Sequence, residues 1–131
     1  MTPTVYYPVL GCAACDHREA SAYQNRWLIV DEQGGLLSGQ ASLLALQHVS
    51  VSIKLGYLVL RAPGMLRMDI PLDVIEDDDS VRRSLQIDGK MTDVVDEGDI
   101  AAVWFGHVAG TRCRLVKVHP DAQPLVLSVL H

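Results

Sequence analysis

The sequence predicts a mainly β fold: a closed or partly open barrel of short antiparallel strands, with one late α-helix over about residues 98–109. Three observations carry that expectation. Apolar and polar residues alternate with period two through most of the chain, as half-buried strands require. Glycine-bearing turns separate the runs at short intervals, the pattern of a barrel or sandwich rather than of a helical bundle. One segment departs from this period, and it does so with helical spacing. At 131 residues the chain is expected to form a single domain over 1–131.

The elements follow in order. Val5, Tyr7 and Val9 alternate before a break at Gly11-Cys12. Trp27 to Val30 is a second apolar run. It ends in Asp31-Glu32-Gln33-Gly34-Gly35, where two glycines permit the positive φ of a hairpin turn, and Leu36-Leu37 starts the return strand. Val49, Val51 and Ile53 form the clearest alternation; Gly56 breaks it and Tyr57 to Arg61 resumes it, closed by Ala62-Pro63-Gly64. Leu66, Met68, Ile70 and Leu72 alternate with polar residues and Pro71. Proline cannot donate to a ladder, so Pro71 marks an edge or a strand end. Leu85 and Ile87 make a short strand before the turn dipeptide Asp88-Gly89.

In the late helix, Ile100, Val103, Trp104, His107 and Val108 fall at i, i+3, i+4, i+7 and i+8, one predicted buried face. Asp96, Glu97 and Asp99 crowd its start, where the helix dipole favours anions, and Gly110 is placed to end it. Thr111 to Val118 reads as a strand. Pro120 and Pro124 punctuate a tail whose Leu125 to Leu130 run is apolar enough to be a last strand or a contact surface.

Composition excludes several classes. A hydrophobic fraction of 49% with 21% charged residues argues against disorder. The formal net charge is -5 and the cations are scattered, so nucleic acid is not an expected partner. No apolar run approaches the roughly 20 residues of a membrane span. The opening Met-Thr-Pro-Thr lacks a signal-peptide pattern, which leads to the expectation of a cytoplasmic protein. Three cysteines, an odd number, argue against a disulfide framework in that compartment.

The pieces Tyr7-Pro8-Val9-Leu10-Gly11-Cys12, Arg26-Trp27-Leu28-Ile29-Val30-Asp31-Glu32-Gln33-Gly34, Leu58 to Gly64, Asp99-Ile100-Ala101-Ala102-Val103-Trp104-Phe105 and Cys113-Arg114-Leu115-Val116 occur in a specific order. Over roughly residues 5–118 the chain resembles the N-terminal β-barrel domain of MOSC proteins. The resemblance implies a domain that is normally followed by a catalytic MOSC domain, which in the amidoxime-reducing branch carries a cysteine ligand to molybdenum. This chain is expected to be a stand-alone form of the domain. The resemblance also implies a cofactor-holding Lys-Ser pair before the cysteine and an Arg two before the Trp. Here those positions hold Leu10, Gly11 and Asn25, and Gln24 replaces the preceding Asp. Each change removes charge or a hydroxyl. Hydrogen bonds to charged groups contribute roughly 1.5–3 kcal/mol each, so a phosphate-bearing pterin would be held far less well. Arg26 is the retained cation.

The sharpest chemical signal is Cys12-Ala13-Ala14-Cys15 with His17 two residues on. Zinc takes four ligands, and these make three; His107 or His119 would have to complete the set. A redox pair would need a thiolate activated at a helix N-terminus. The simpler reading is a family cysteine at Cys12 and an incidental Cys15. Cys113 reads as a small buried hydrophobe, and the histidines, His48 and His131 included, share no ligand spacing. Glu76-Asp77-Asp78-Asp79 lacks the glycine and distal glutamate of a calcium loop and reads as a solvated turn. Trp27 and Trp104 read as core anchors.

No nucleophilic elbow, phosphate loop or dinucleotide fingerprint is present, so an independent enzyme is the least supported class. The leading expectation is a non-catalytic binding or interaction module, with a protein partner or homodimer formed through Leu125 to Leu130. The alternatives are residual binding of molybdenum cofactor, pyridoxal phosphate or another anionic small molecule near Cys12 and Arg26, and a thiol or zinc function at Cys12, Cys15 and His17.

Overall fold

The computed structural model describes residues 5–72, 82–87 and 90–118. The Glu76 to Asp79 cluster, the Asp88-Gly89 turn, His119, His131 and the Leu125 to Leu130 tail lie outside the described residues.

Among the described residues, seven strands form two antiparallel sheets. The first contains β1 (Trp27–Val30), β5 (Arg82–Ile87), β6 (Lys90–Asp96) and β7 (Arg114–Val118), in the order β1-β7-β6-β5. The second contains β2 (Ser50–Lys54), β3 (Tyr57–Arg61) and β4 (Met68–Pro71), in sequence order. No ladder joins the two sheets among the described residues, so the closed barrel is not formed there. A mainly β fold with a partly open arrangement is what remains of that expectation. No helix among the described residues is long and apolar enough to cross a membrane.

Burial explains why each strand lies where it does. In β2, Val51 and Ile53 turn inward, as their alternation predicts. β3 is the middle strand of its sheet, and Leu58, Val59 and Leu60 are all buried. β4 is an edge that ends at Pro71, where the missing N–H costs no ladder bond. Leu66, expected to alternate into the core, is 88% exposed. It precedes the strand, and its carbonyl instead accepts a hydrogen bond from Trp104 Nε1 at 2.7 Å. The Val5, Tyr7, Val9 run is not a strand either. It makes single bridges, Tyr6 to Cys15 and Val9 to Trp27, and Leu36 likewise makes one bridge to Val30.

Helices complete the described fold. The late helix, α2, spans Asp99–Ala109 and ends at Gly110 in the left-handed conformation (φ 75°), as expected. Its buried face differs from the predicted one. Ala101, Ala102, Trp104, Phe105 and Ala109 are buried, whereas Ile100 and Val103 are 84% and 61% exposed and His107 faces out. Ala101, Trp104, Phe105 and Ala109 pack into the core shared by the two sheets. The expectation of a single helix also needs correction. A short helix, α1 (Gln40–Leu46), packs against α2, and Ser42 Oγ donates to the carbonyl of Ala109 at 2.8 Å. Arg18–Tyr23 is 3-10 helical.

One core serves both sheets. It draws on Trp27, Ile29 and Leu115 of the first sheet, Val51, Ile53, Leu58, Leu60 and Met68 of the second, and Trp104 and Phe105 of α2. Trp104 and Phe105 meet edge to face with centroids 4.9 Å apart. A smaller cluster lies on the other face of the first sheet: Leu10, Leu28, Val30, Val94, Val116 and Val118, flanked by Leu36 and Leu85.

Candidate functional site

The two motifs that carry cofactor-binding positions by resemblance meet in space. Trp27 N–H donates to the carbonyl of Pro8 and Leu10 N–H to the carbonyl of Trp27, both at 3.0 Å. Gln24 Oε1 accepts from Tyr7 N–H at 2.7 Å, and Asn25 N–H donates to the carbonyl of Tyr7 at 2.9 Å. Asn25 is buried and sits at φ 55°, a left-handed conformation that asparagine tolerates better than most residues. Its Oδ1 and the Nε of Arg26 are buried without a hydrogen-bond partner. The Arg26 guanidinium lies 5.4 Å from the centroid of the Tyr23 ring. Leu10 turns away from this junction into the outer apolar cluster. The junction therefore offers one guanidinium and one amide, which suits a single polar group of a ligand and fits a multiply charged phosphate poorly.

The cysteines lie inside the fold. Cys12 and Cys15 are free and buried, and Cys15 is held by paired backbone bonds to Tyr6 at 2.7 and 2.8 Å. Burial pushes the Cys12 thiol up to about 12, which keeps it protonated and blunts it as a nucleophile or metal ligand. His17 is exposed at the start of the 3-10 helix. Among the described residues no three His, Cys, Asp or Glu side chains are placed to share a metal ion.

A second locus is not legible in the sequence. A cleft of about 820 Å³ opens between α2, the outer face of the first sheet and the loops at its end. Its apolar lining comes from Val30, Leu85, Ala102, Val103 and Val116, and its polar rim from Asp31, Glu32, His107, Thr111, Arg112 and Arg114. Asp31 accepts from Gln33 N–H and Gly35 N–H of its own turn, and both rim arginines face carboxylates. Arg114 holds Asp96 through two nitrogens and reaches Asp99 at 2.7 Å; these carboxylates raise its pKa further above the ordinary arginine value. Asp96 also accepts from Gly98 N–H at 2.8 Å, which fixes the entry to α2. Arg112 makes only a loose pair with Glu32 at 3.5 Å, with the two side chains 90% and 59% exposed. Cys113 lines the cleft, its thiol raised by burial. The sequence signal for this locus is Asp96 and Asp99 followed by Arg112 and Arg114. Read along the chain alone, these are dipole partners and scattered cations.

Below the first sheet, on the core side, lies a buried polar node. Trp27 Nε1 donates to Glu97 at 2.9 Å. Lys117, wholly buried, donates to the carbonyl of Leu72 and sits 5.2 Å from the Trp27 ring centroid. Desolvation raises the Glu97 pKa, opposed by the Trp27 bond and by Lys117.

Comparison with known proteins gives three findings. The profile of the MOSC N-terminal beta barrel domain matches residues 3–112. Curated relatives include the molybdenum cofactor sulfurases of Danio rerio, 27% identical over 130 residues, and Homo sapiens, 24% identical over 130 residues. The matches cover 92% and 94% of this chain but only 16% and 14% of those proteins. Among solved structures, the solution structure of a protein coded by a gene locus of Bordetella bronchiseptica, a structural-genomics target, superposes with a TM-score of 0.80 at 49% identity, covering 100% of both chains.

Proposed function

The chain belongs to the MOSC N-terminal beta barrel domain family, and on that footing we propose that it is a non-catalytic binding module whose ligand occupies the α2 cleft. The observation that supports this reading is the cleft itself. At about 820 Å³ it has the size of a small-molecule site, and its apolar floor and convergent polar rim have the usual composition of one. Among its charged groups, Arg114 is held by Asp96 and Asp99 and Asp31 accepts from the backbone of its own turn, whereas Arg112 is held only by an exposed pair of little strength. Arg112 is free to turn to an anionic end of a ligand while the floor takes an apolar ring. The thiol in the cleft, Cys113, is held in its unreactive protonated form.

A second reading has its own support. Asn25 Oδ1 and Arg26 Nε belong to adjacent residues and are buried and unpartnered. Such groups carry a cost that a ligand atom would relieve. This junction is the family's cofactor position by resemblance, here with its charges reduced.

Two-dimensional amide NMR, with pyridoxal phosphate and molybdopterin as probes, tests both. Saturable shifts at Val103, Arg112 and Arg114 would support the cleft. Shifts confined to Asn25, Arg26 and their neighbours would move the site to the junction and overturn the first reading. Silence at both places with either probe at millimolar concentration would remove small anions as ligands of this domain.

A further inference from the structure

The α2 cleft does not end at Arg112. Beside it lies a smaller hollow of about 260 Å³, lined by Asp31, Glu32, Gln33, Thr111 and Arg112. All of these except Gln33 also line the cleft, so the two spaces adjoin at Glu32 and Arg112. Strand pairing explains why these two side chains meet. β1 pairs antiparallel with β7, with Val30 opposite Arg114. Two residues beyond that pair, where the strands give way to loops, Glu32 and Arg112 stand opposite each other.

The hollow is lined by one cation, Arg112, and by the carboxylates of Asp31 and Glu32. Oδ1 of Asp31 accepts from Gln33 N–H and Gly35 N–H, which commits that side chain to its own turn. Arg112 and Glu32 are 3.5 Å apart, with side chains 90% and 59% exposed. A pair so exposed contributes little and opens at little cost. A ligand with only an anionic end would draw Arg112 away and leave Glu32 unpaired beside the incoming negative charge, where like charges repel. A ligand with only a cationic end would take Glu32 and meet the same repulsion from Arg112. A ligand that carries an ammonium and a carboxylate side by side gives both groups a counterpart. Its carboxylate takes the guanidinium fork of Arg112 and its ammonium takes Glu32, with the Thr111 hydroxyl in the same hollow to bond either. The remainder of such a ligand lies towards Val30, Leu85, Ala102, Val103 and Val116, so it must be apolar.

We propose that the ligand of the α2 cleft is a free amino acid with a large apolar side chain, its carboxylate on Arg112, its ammonium on Glu32 and its side chain on the cleft floor. The proposal rests on the reading of the cleft as the binding site and narrows its ligand from an anion to a zwitterion. No covalent bond is made or broken: binding exchanges one weak ion pair for two.

Amide NMR of the full chain, titrated separately with phenylalanine, tryptophan and leucine, tests this. Saturable shifts are expected at Glu32, Val103 and Arg112 with at least one of them. The deaminated acid and the decarboxylated amine of that amino acid (3-phenylpropionate and phenethylamine for phenylalanine) should each bind about tenfold more weakly, the loss of one charge-assisted contact. Glu32→Gln should weaken the amino acid by about the same factor and leave the deaminated acid no weaker than before. Both side chains of the pair are exposed, so this variant keeps the fold. A general disturbance of the cleft would weaken both ligands alike and would overturn the proposal. A deaminated acid that binds the wild type as tightly as its amino acid would also overturn it, and would leave the cleft as a site for simple anions. Silence from all three amino acids at millimolar concentration overturns it as well. In that case shifts at Arg112 with pyridoxal phosphate keep the cleft as the binding site, and their absence removes both readings together.

Discussion

At the scale of single residues, the most informative groups are polar ones inside the fold. Glu97 is held by Trp27 and faces Lys117, yet burial raises its pKa above the ordinary 4.5. The folded chain therefore binds this proton more tightly than the unfolded chain does. Its contribution favours the fold below 4.5 and is lost as pH rises through the raised value. Glu97→Gln keeps an oxygen for Trp27 and removes the titration. Urea unfolding should show the wild type losing stability relative to this variant as pH climbs from 4.5 toward neutral; a difference that is constant with pH would mean the carboxyl is effectively solvated. Asp96, with its side chain 4% exposed, ties Arg114 to the start of α2. Asp96→Ala should lower stability by about 2–3 kcal/mol in urea titration, the range for hydrogen bonds to charged groups; Arg114 still reaches water, which keeps the figure below that of a fully buried pair. None of these partnerships can be read from the sequence, because residues 27, 97 and 117 become neighbours only through the pairing of β1 with β7. The burial of Trp27, Trp104 and Cys113 is legible, since each lies in an apolar run.

At the scale of elements, period is legible and orientation is not. The strands β2, β3 and β4 follow from their alternation and from the breaks at Gly56 and Pro63-Gly64. β6 carries Thr92 and Asp93 in its middle, which hides a strand that the ladder with β5 and β7 nevertheless requires. For α2 the 3.6-residue period gives the bounds, but two apolar stripes compete on it. The stripe with the β-branched residues Ile100 and Val103 loses to the one containing Ala101, Ala102 and Phe105. The winning stripe carries Phe105 into the shared core, and packing outweighs the hydrophobicity of any one residue. Ile100→Lys should change stability by no more than about 0.5 kcal/mol, whereas Phe105→Ala should cost about 3–5 kcal/mol, both measured by denaturant midpoint. Equal effects would return the buried face to Ile100. Gly110→Ala should cost about 1 kcal/mol through the left-handed backbone alone, because an added Cβ there meets no atom within 4 Å.

At the scale of the whole molecule, both sheets and both helices share a single apolar core. Unfolding should therefore be one cooperative event, with far-UV circular dichroism and tryptophan fluorescence giving the same urea midpoint. Separate transitions would mean that the three-stranded sheet stands alone. The mainly β class is legible at this scale from period and turn chemistry. The division into two sheets is not, because strand order depends on contacts between residues far apart in the chain. The pairing of Trp27 with Lys117 is the extreme case. It has a consequence for how the protein is made. Synthesis runs from the N-terminus, so β1 leaves the ribosome long before the strand that flanks it. Until residue 118 has emerged, Leu28, Val30 and Val94 belong to a nascent chain that cannot close its larger sheet. Throughout that interval the backbone N–H and C=O groups along the edge of β1 lack the β7 ladder that satisfies them in the folded domain.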